Sequence, residues 1–185
     1  VGCTFCATGQ MGFSRNLSSG EIIQQILYFA NELKKVGEKI TNVVFMGMGE
    51  PFLNYSETIQ AISRLNLQDG FGMSERRFTV STVGIPEKIL DLGKDHNQVN
   101  LAISLHAATD ELRSRLIPIN KKYPIHTIID ACKIYTEQTR RRISFEWALI
   151  RDVNDQDSQI NSLIKLLKGM LCHVNLIPLN PSPGY

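Results

Sequence analysis

The sequence predicts an α/β protein with a parallel sheet, because short apolar runs alternate without interruption with longer amphipathic stretches. The first clear element is a helix, whereas a strand precedes the helix in each β/α unit, so we expect the first strand to lie upstream of Val1. No repeat, low-complexity tract or linker divides the 185 residues. We therefore predict one domain over residues 1–185, truncated at both ends.

Five short apolar runs predict the strands of this sheet. They are rich in β-branched and aromatic residues, which fit a pleated and buried surface. The predicted strands are NVVFMG (42–47), FTVST (78–82), NLAISLH (100–106), ISFEWALI (143–150) and HVNLIPL (173–179).

Six amphipathic stretches between these runs predict helices. The first, EIIQQILYFANELKKV, repeats Ile22, Ile26 and Phe29 on one face and follows Ser18 and Ser19, either of which suits an N-cap. The others are SETIQAISRL, PEKILDLG, TDELRSRL, PIHTIIDACKIYTEQ and QDSQINSLIKLLKG.

Composition excludes several classes of protein. No apolar run approaches the roughly 20 residues that span a bilayer, and no signal-peptide pattern opens the chain, so we expect no membrane association. The cysteines Cys132 and Cys172 lie in apolar, element-like sequence, where a small buried residue is the simplest interpretation. This usage suits a reducing compartment, and we expect a cytoplasmic protein.

The net charge of +2 does not by itself indicate a nucleic-acid-binding protein, but the basic residues are clustered. The clusters are Arg76–Arg77, Lys121–Lys122 and Arg140–Arg142. Each one is either ordinary surface charge or a phosphate contact.

Polar and small residues follow four of the predicted strands. Gly49 and Glu50 follow the first, Ser104 and His106 end the third, and Asn180 follows the fifth, while Thr82-Val83-Gly84 ends the second. In parallel β/α folds the carboxyl ends of the strands meet at one edge, where ligands bind. We therefore predict one polar pocket at this edge.

The C-x-x-C step at Cys3 and Cys6 leaves three possibilities open from its spacing alone. A zinc site needs four ligands, and no second pair at suitable spacing follows. A thioredoxin-like redox pair lies directly before a helix, whereas a Gly/Ser-rich stretch follows here. An iron–sulfur cluster held by thiolates of one loop is the third.

Several motifs in fixed order resemble one family along nearly the whole chain. They are GCTFCATGQMGFSRNLS, VVFMGMGEPFLNY, FGMSERRFTVSTVGIP, LAISLHAATDELRSRLIPINKKYP, WALIRDVND and VNLIPLNPSPGY. This set resembles the RlmN/Cfr group of radical S-adenosylmethionine enzymes, which methylate adenine in RNA. The resemblance implies a partial (β/α)6 radical-SAM barrel whose first strand is missing from this chain.

The resemblance also implies the cofactors and their ligands. A [4Fe–4S] cluster would be held by Cys3, Cys6 and a third cysteine two positions before Val1. The implied contacts to S-adenosylmethionine are Gly49, Glu50, Ser81, Ser104, Leu105, His106 and Asn180.

By this resemblance the function is methylation of carbon 2 of an adenine in 23S rRNA and in tRNA, through a methyl-cysteine that lies outside the segment. Neither Cys132 nor Cys172 matches a mechanistic cysteine of the family, so we expect the segment alone to be inactive. The implied electron donor is a flavodoxin or ferredoxin, and the full-length enzyme is expected to be a monomer. The alternatives are the carbon-8 methyltransferase branch and a non-catalytic metal- or nucleotide-binding module.

Overall fold

The computed structural model describes residues 1–180, and its centre is one sheet of five parallel strands. All five predicted strands are confirmed, with ends that differ by a few residues. They are β1 (Val43–Phe45), β2 (Phe78–Thr82), β3 (Asn100–Ser104), β4 (Ile143–Leu149) and β5 (Cys172–Pro178).

The six predicted helices are also confirmed, and a short seventh precedes them. The α-helices are α1 (Ala7–Gln10), α2 (Ser19–Lys35), α3 (Tyr55–Asn66), α4 (Pro86–Asp95), α5 (Asp110–Leu116), α6 (Ile125–Thr139) and α7 (Asp157–Leu167). Helix α1 was not predicted because a single turn is too short to show periodicity. Ser18 is the N-cap of α2 and forms a capping box with Glu21.

The strands lie in the order β1-β2-β3-β4-β5, so every crossover moves in the same direction along the sheet. A doubly wound fold would reverse direction at a switch point, whereas a β/α barrel does not. The predicted fold class is therefore confirmed as an α/β sheet with the strand order of part of a barrel. No helix within residues 1–180 is long and apolar enough to span a membrane.

The two faces of this sheet differ in chemistry. One face carries Phe78, Val80, Ile103 and Phe145, which are buried in the main core with the helices. The register places polar side chains on the opposite face, because Ser81 pairs with Ala102, and Ser104 with Glu146. Val44, Ala102, Ala148 and Ile177 share this face, which we call the polar face for its eight polar side chains. These are Thr79, Ser81, Asn100, Ser104, Ser144, Glu146, His173 and Asn175.

A parallel sheet is normally covered by apolar packing on both faces. Here the helices cover one face, and the other is polar as in a barrel interior that holds a ligand. The fold therefore provides a polar surface that ends at the carboxyl edge of the strands.

Candidate functional site

Glu50 joins the carboxyl ends of β1 and β2. Its carboxylate accepts hydrogen bonds from Thr82 Oγ1 at 2.7 Å, from the Val83 amide at 2.8 Å and from the Phe52 amide at 2.9 Å. Burial raises the pKa of this carboxyl group, and these hydrogen bonds act in the opposite direction. Gly49 has φ +96°, a conformation that L side chains rarely adopt, so the turn that delivers Glu50 depends on glycine.

The two thiols of Cys3 and Cys6 lie on a tight turn at the same edge. The Cys6 amide donates to the Cys3 carbonyl at 3.2 Å, and the Thr4 amide donates to the carbonyl of Leu116, the last residue of α5, at 3.0 Å. A side chain at Gly9 would meet the Cys3 carbonyl at 2.9 Å. These contacts bring both thiols onto one compact turn above the strand ends.

Burial, followed by the neighbouring Cys6 thiol, raises the pKa of Cys3 to about 11. Cys3 and Phe5 both pack against a small apolar cluster that includes Val83, Leu116 and Ile150. Since Val83 directly follows β2 and Ile150 directly follows β4, this cluster connects the thiol turn to the carboxyl edge of the sheet.

His106 occupies the left-handed region, with φ +57°, directly after β3. Its Nδ1 accepts a hydrogen bond from the Ala148 amide at 2.9 Å, and its carbonyl accepts one from Asn154 Nδ2 at 2.8 Å. Burial and then the charge of Arg113 lower its pKa to about 3, so the ring is neutral with its proton assigned to Nε2. The Phe5 ring stands edge-on to it at 5.1 Å.

Arg113 is a fully buried residue that the sequence analysis did not single out. Its guanidinium donates to the carbonyls of Leu105 at 3.1 Å and Ser104 at 3.0 Å, to the Val83 carbonyl, and to Asn120 Oδ1 at 2.7 Å. It therefore holds the ends of β2 and β3 together. No local pattern in the sequence indicates its burial, because its acceptors lie on separate segments of the chain.

Ser81, Ser104 and Leu105 were predicted to bind one ligand, and the sheet brings them together. The Ser81 and Ser104 hydroxyls are 3.4 Å apart. The Leu105 side chain is buried, and its amide donates to the Glu146 carbonyl at 3.1 Å. Asn180 follows β5 and is exposed, while Pro181–Tyr185, the end of the last motif, lie outside the described residues.

Glu146 is the second residue that the sequence analysis missed. It is a carboxylate on the polar face, only 7% exposed, and its Oε2 accepts a hydrogen bond from Asn175 Nδ2 at 2.8 Å. An acidic residue inside the apolar run ISFEWALI was an available signal.

The basic clusters lie at opposite ends of the sheet. Arg76–Arg77 directly precede β2 and Arg140–Arg142 directly precede β4, which puts both at the amino edge. Arg77 donates to the Thr41 carbonyl at 2.8 Å, and Arg141 to Asn100 Oδ1. Lys121–Lys122 are exposed and follow Asn120, the partner of Arg113 at the carboxyl edge. Of these three clusters, only Lys121–Lys122 shares the edge with the thiols.

Comparison with known protein families identifies the family to which this chain belongs. The family model for the radical SAM superfamily matches residues 1–164. The chain belongs to the radical SAM superfamily.

Individual relatives agree with this family. The chain is 51% identical over 182 residues to the "Probable dual-specificity RNA methyltransferase RlmN" of Thermotoga neapolitana, covering 98% of this chain and 52% of that protein. It is 47% identical over 185 residues to the protein of the same name from Dictyoglomus thermophilum, covering 100% and 53%. The crystal structure of a radical SAM methyltransferase from Sphaerobacter thermophilus superimposes with a TM-score of 0.98 at 49% identity, covering 100% of this chain and 54% of that one. The chain spans about half the length of the relatives it matches.

The superfamily uses a [4Fe–4S] cluster and S-adenosylmethionine, so both cofactors are assigned to this chain. The donors present suit the cluster, because soft thiolates are its usual ligands and Cys3 and Cys6 share one turn. Within residues 1–180 no three His, Cys, Asp or Glu side chains form a metal-binding group, so these two thiols make only part of a ligand set. Cys132 is buried in the core and Cys172 packs against it, as predicted for structural cysteines.

Proposed function

We propose that this chain is the catalytic core of a longer RNA methyltransferase that methylates carbon 2 of adenine in 23S rRNA and in tRNA. The observation that carries the proposal is the pair of thiols on one turn at the carboxyl edge of a parallel sheet that has polar side chains on the face away from its helices. RNA is the proposed substrate because relatives about 50% identical along the whole chain are named as RNA methyltransferases. The reaction requires a methyl-cysteine that we place outside these residues.

Different residues would bind the two cofactors. Cys3 and Cys6 would hold two corners of the cluster. When bound, the cluster and S-adenosylmethionine supply one-electron cleavage of a carbon–sulfur bond and hence a 5′-deoxyadenosyl radical. Glu50 faces the ammonium group of S-adenosylmethionine, because three of its roughly four lone-pair positions are already used by Phe52, Thr82 and Val83 and one remains.

The remaining residues bind and orient the rest of the cofactor. The Ser81 and Ser104 hydroxyls, which are 3.4 Å apart, form a pair of donors for its carboxylate. Gly49 presents backbone to it. The Leu105 amide is already bonded to Glu146 and its carbonyl to Ala107 and Arg113, so Leu105 acts by positioning its neighbours Ser104 and His106. Neutral His106 supports Phe5 against the cluster, and Asn180 offers an amide to the nucleoside.

The proposed partners follow from the same chemistry. The target RNA approaches the carboxyl edge, where Lys121–Lys122 can neutralise phosphate. A flavodoxin or ferredoxin supplies the electron to a monomeric enzyme in the cytoplasm.

The test is product analysis with the full-length protein that carries this chain. The protein is reconstituted anaerobically with iron and sulfide, and RNA treated with it and S-adenosylmethionine is digested to nucleosides for mass spectrometry. We expect a dithionite-bleached [4Fe–4S] absorbance and 2-methyladenosine in both RNAs. The 8-methyl isomer would assign the protein to the carbon-8 branch instead, and stoichiometric zinc without methylation would indicate a non-catalytic module.

A further inference from the structure

Glu146 lies in the middle of the polar face, yet none of the roles described above includes it. It stands directly opposite Ser104 on β3 and Asn175 on β5 in the strand register, so the three side chains form one row. Its backbone carbonyl accepts the amides of Leu105 at 3.1 Å and His106 at 3.2 Å. Glu146 is therefore built into the residues that we assign to S-adenosylmethionine.

The side chain of Glu146 has capacity for a ligand. Asn175 Nδ2 donates to Oε2 at 2.8 Å, and no described residue donates to Oε1. A carboxylate can only accept hydrogen bonds, so the partner must bring hydroxyl or N–H groups. With 7% of its surface exposed, an unsatisfied oxygen here would be costly unless a donor reaches it from the open face.

The order of the strands determines which part of the ligand reaches Glu146. Glu50 lies after β1, Ser81 is the penultimate residue of β2 and Ser104 ends β3, so the amino-acid end of S-adenosylmethionine lies over these strands. Neighbouring strands are about 4.8 Å apart, which puts β4 one step further from the ammonium group than Ser104. The next donor groups along the cofactor are the two ribose hydroxyls.

We propose that Glu146, oriented by Asn175, binds the ribose hydroxyls of S-adenosylmethionine. A carboxylate and a vicinal diol match as two acceptor oxygens facing two O–H donors. This assignment rests on the proposed function, since it presupposes that S-adenosylmethionine binds on the polar face.

The experiment is anaerobic calorimetry on the full-length, cluster-loaded protein with two probes, S-adenosylmethionine and its 2′,3′-dideoxy analogue. Wild type should bind the analogue about tenfold to a hundredfold more weakly, as expected for the loss of charge-assisted hydrogen bonds. Glu146→Gln should weaken the binding of S-adenosylmethionine by the same factor, about tenfold to a hundredfold, and should bind the two probes with nearly equal affinity. Glu111→Gln, on the exposed first turn of α5, is the matched control and should behave as wild type.

A second variant, Asn175→Ala, tests the orienting role without altering the carboxylate. It should reduce the difference in binding affinity between the two probes, while the thermal unfolding temperature stays near that of wild type. The proposal is overturned if Glu146→Gln keeps the full preference for the diol, or if it weakens RNA binding alone. If wild type fails to bind S-adenosylmethionine at all, the proposed function is what fails.

Discussion

Replacing Arg113 with methionine should destabilise the protein far more than any substitution of a surface arginine. The change keeps most of the side-chain stem but removes every donor from four acceptors, on Val83, Ser104, Leu105 and Asn120. An unsatisfied buried acceptor costs about 1 kcal/mol at the low end, so four cost about 4 kcal/mol. The substitution also removes the cost of desolvating the guanidinium charge, and this offsets part of the loss. That cost is visible in the pKa of Arg113, which burial lowers to about 10. We expect a net loss of about 3 kcal/mol.

The assay is thermal unfolding of the full-length, cluster-free protein. At about 2–4 °C per kcal/mol for a domain of this size, the midpoint should fall by about 6–12 °C. Arg115→Met is the matched control, since Arg115 lies on the same helix and is exposed, and it should shift the midpoint by no more than about 2 °C. Arg113→Lys should fall between them because it keeps the charge and loses the planar fork. Equal midpoints for the two methionine variants would refute the reasoning.

Three further predictions concern the site. Glu50→Ala should weaken the binding of S-adenosylmethionine by about tenfold to a hundredfold in calorimetry while the cluster absorbance is retained. An unchanged affinity would show that Glu50 does not belong to the site. The pKa of His106 is depressed to about 3, so the unfolded chain takes up a proton as pH falls below about 6.5, and folding stability is lost from there down to about pH 3. From pH 7.5 to 5.0 this histidine should lower the free energy of unfolding by about 2 kcal/mol. His106→Asn, whose new side chain tolerates positive φ, should make the urea midpoint less dependent on pH over that range. An unchanged pH dependence would contradict the assignment. Reversing the charge of Lys121 and Lys122 should weaken RNA binding and its salt dependence more than reversing Arg140 and Arg142, and the opposite ranking in a filter-binding assay would place the RNA at the amino edge.

Strands and long helices were predictable because their signal is local. The periodicity of apolar residues in α2 and the capping box at Ser18 depend only on neighbours in the chain. The single turn of α1 was too short to give such a signal. The burial of Arg113 lacked one because its acceptors lie on Val83 after β2, at the end of β3 and on Asn120.

The sequence also does not tell which of the basic clusters lies near the site. From the sequence all three had equal standing as phosphate contacts. The sheet separates them because the chain enters each strand at one edge and leaves it at the other, about 16 Å away for a strand of five residues such as β2.

The sequence by itself determined the α/β class, the motifs of the radical SAM family and the residues at the strand ends, because each is written in contiguous residues. Only the tertiary structure decided that one face of the sheet is polar and open, that Arg113 joins two strand ends, and that Glu146 lies between Ser104 and Asn175. The physical reason is register: which side chains share a row depends on hydrogen-bonded pairing between segments that are far apart in the chain.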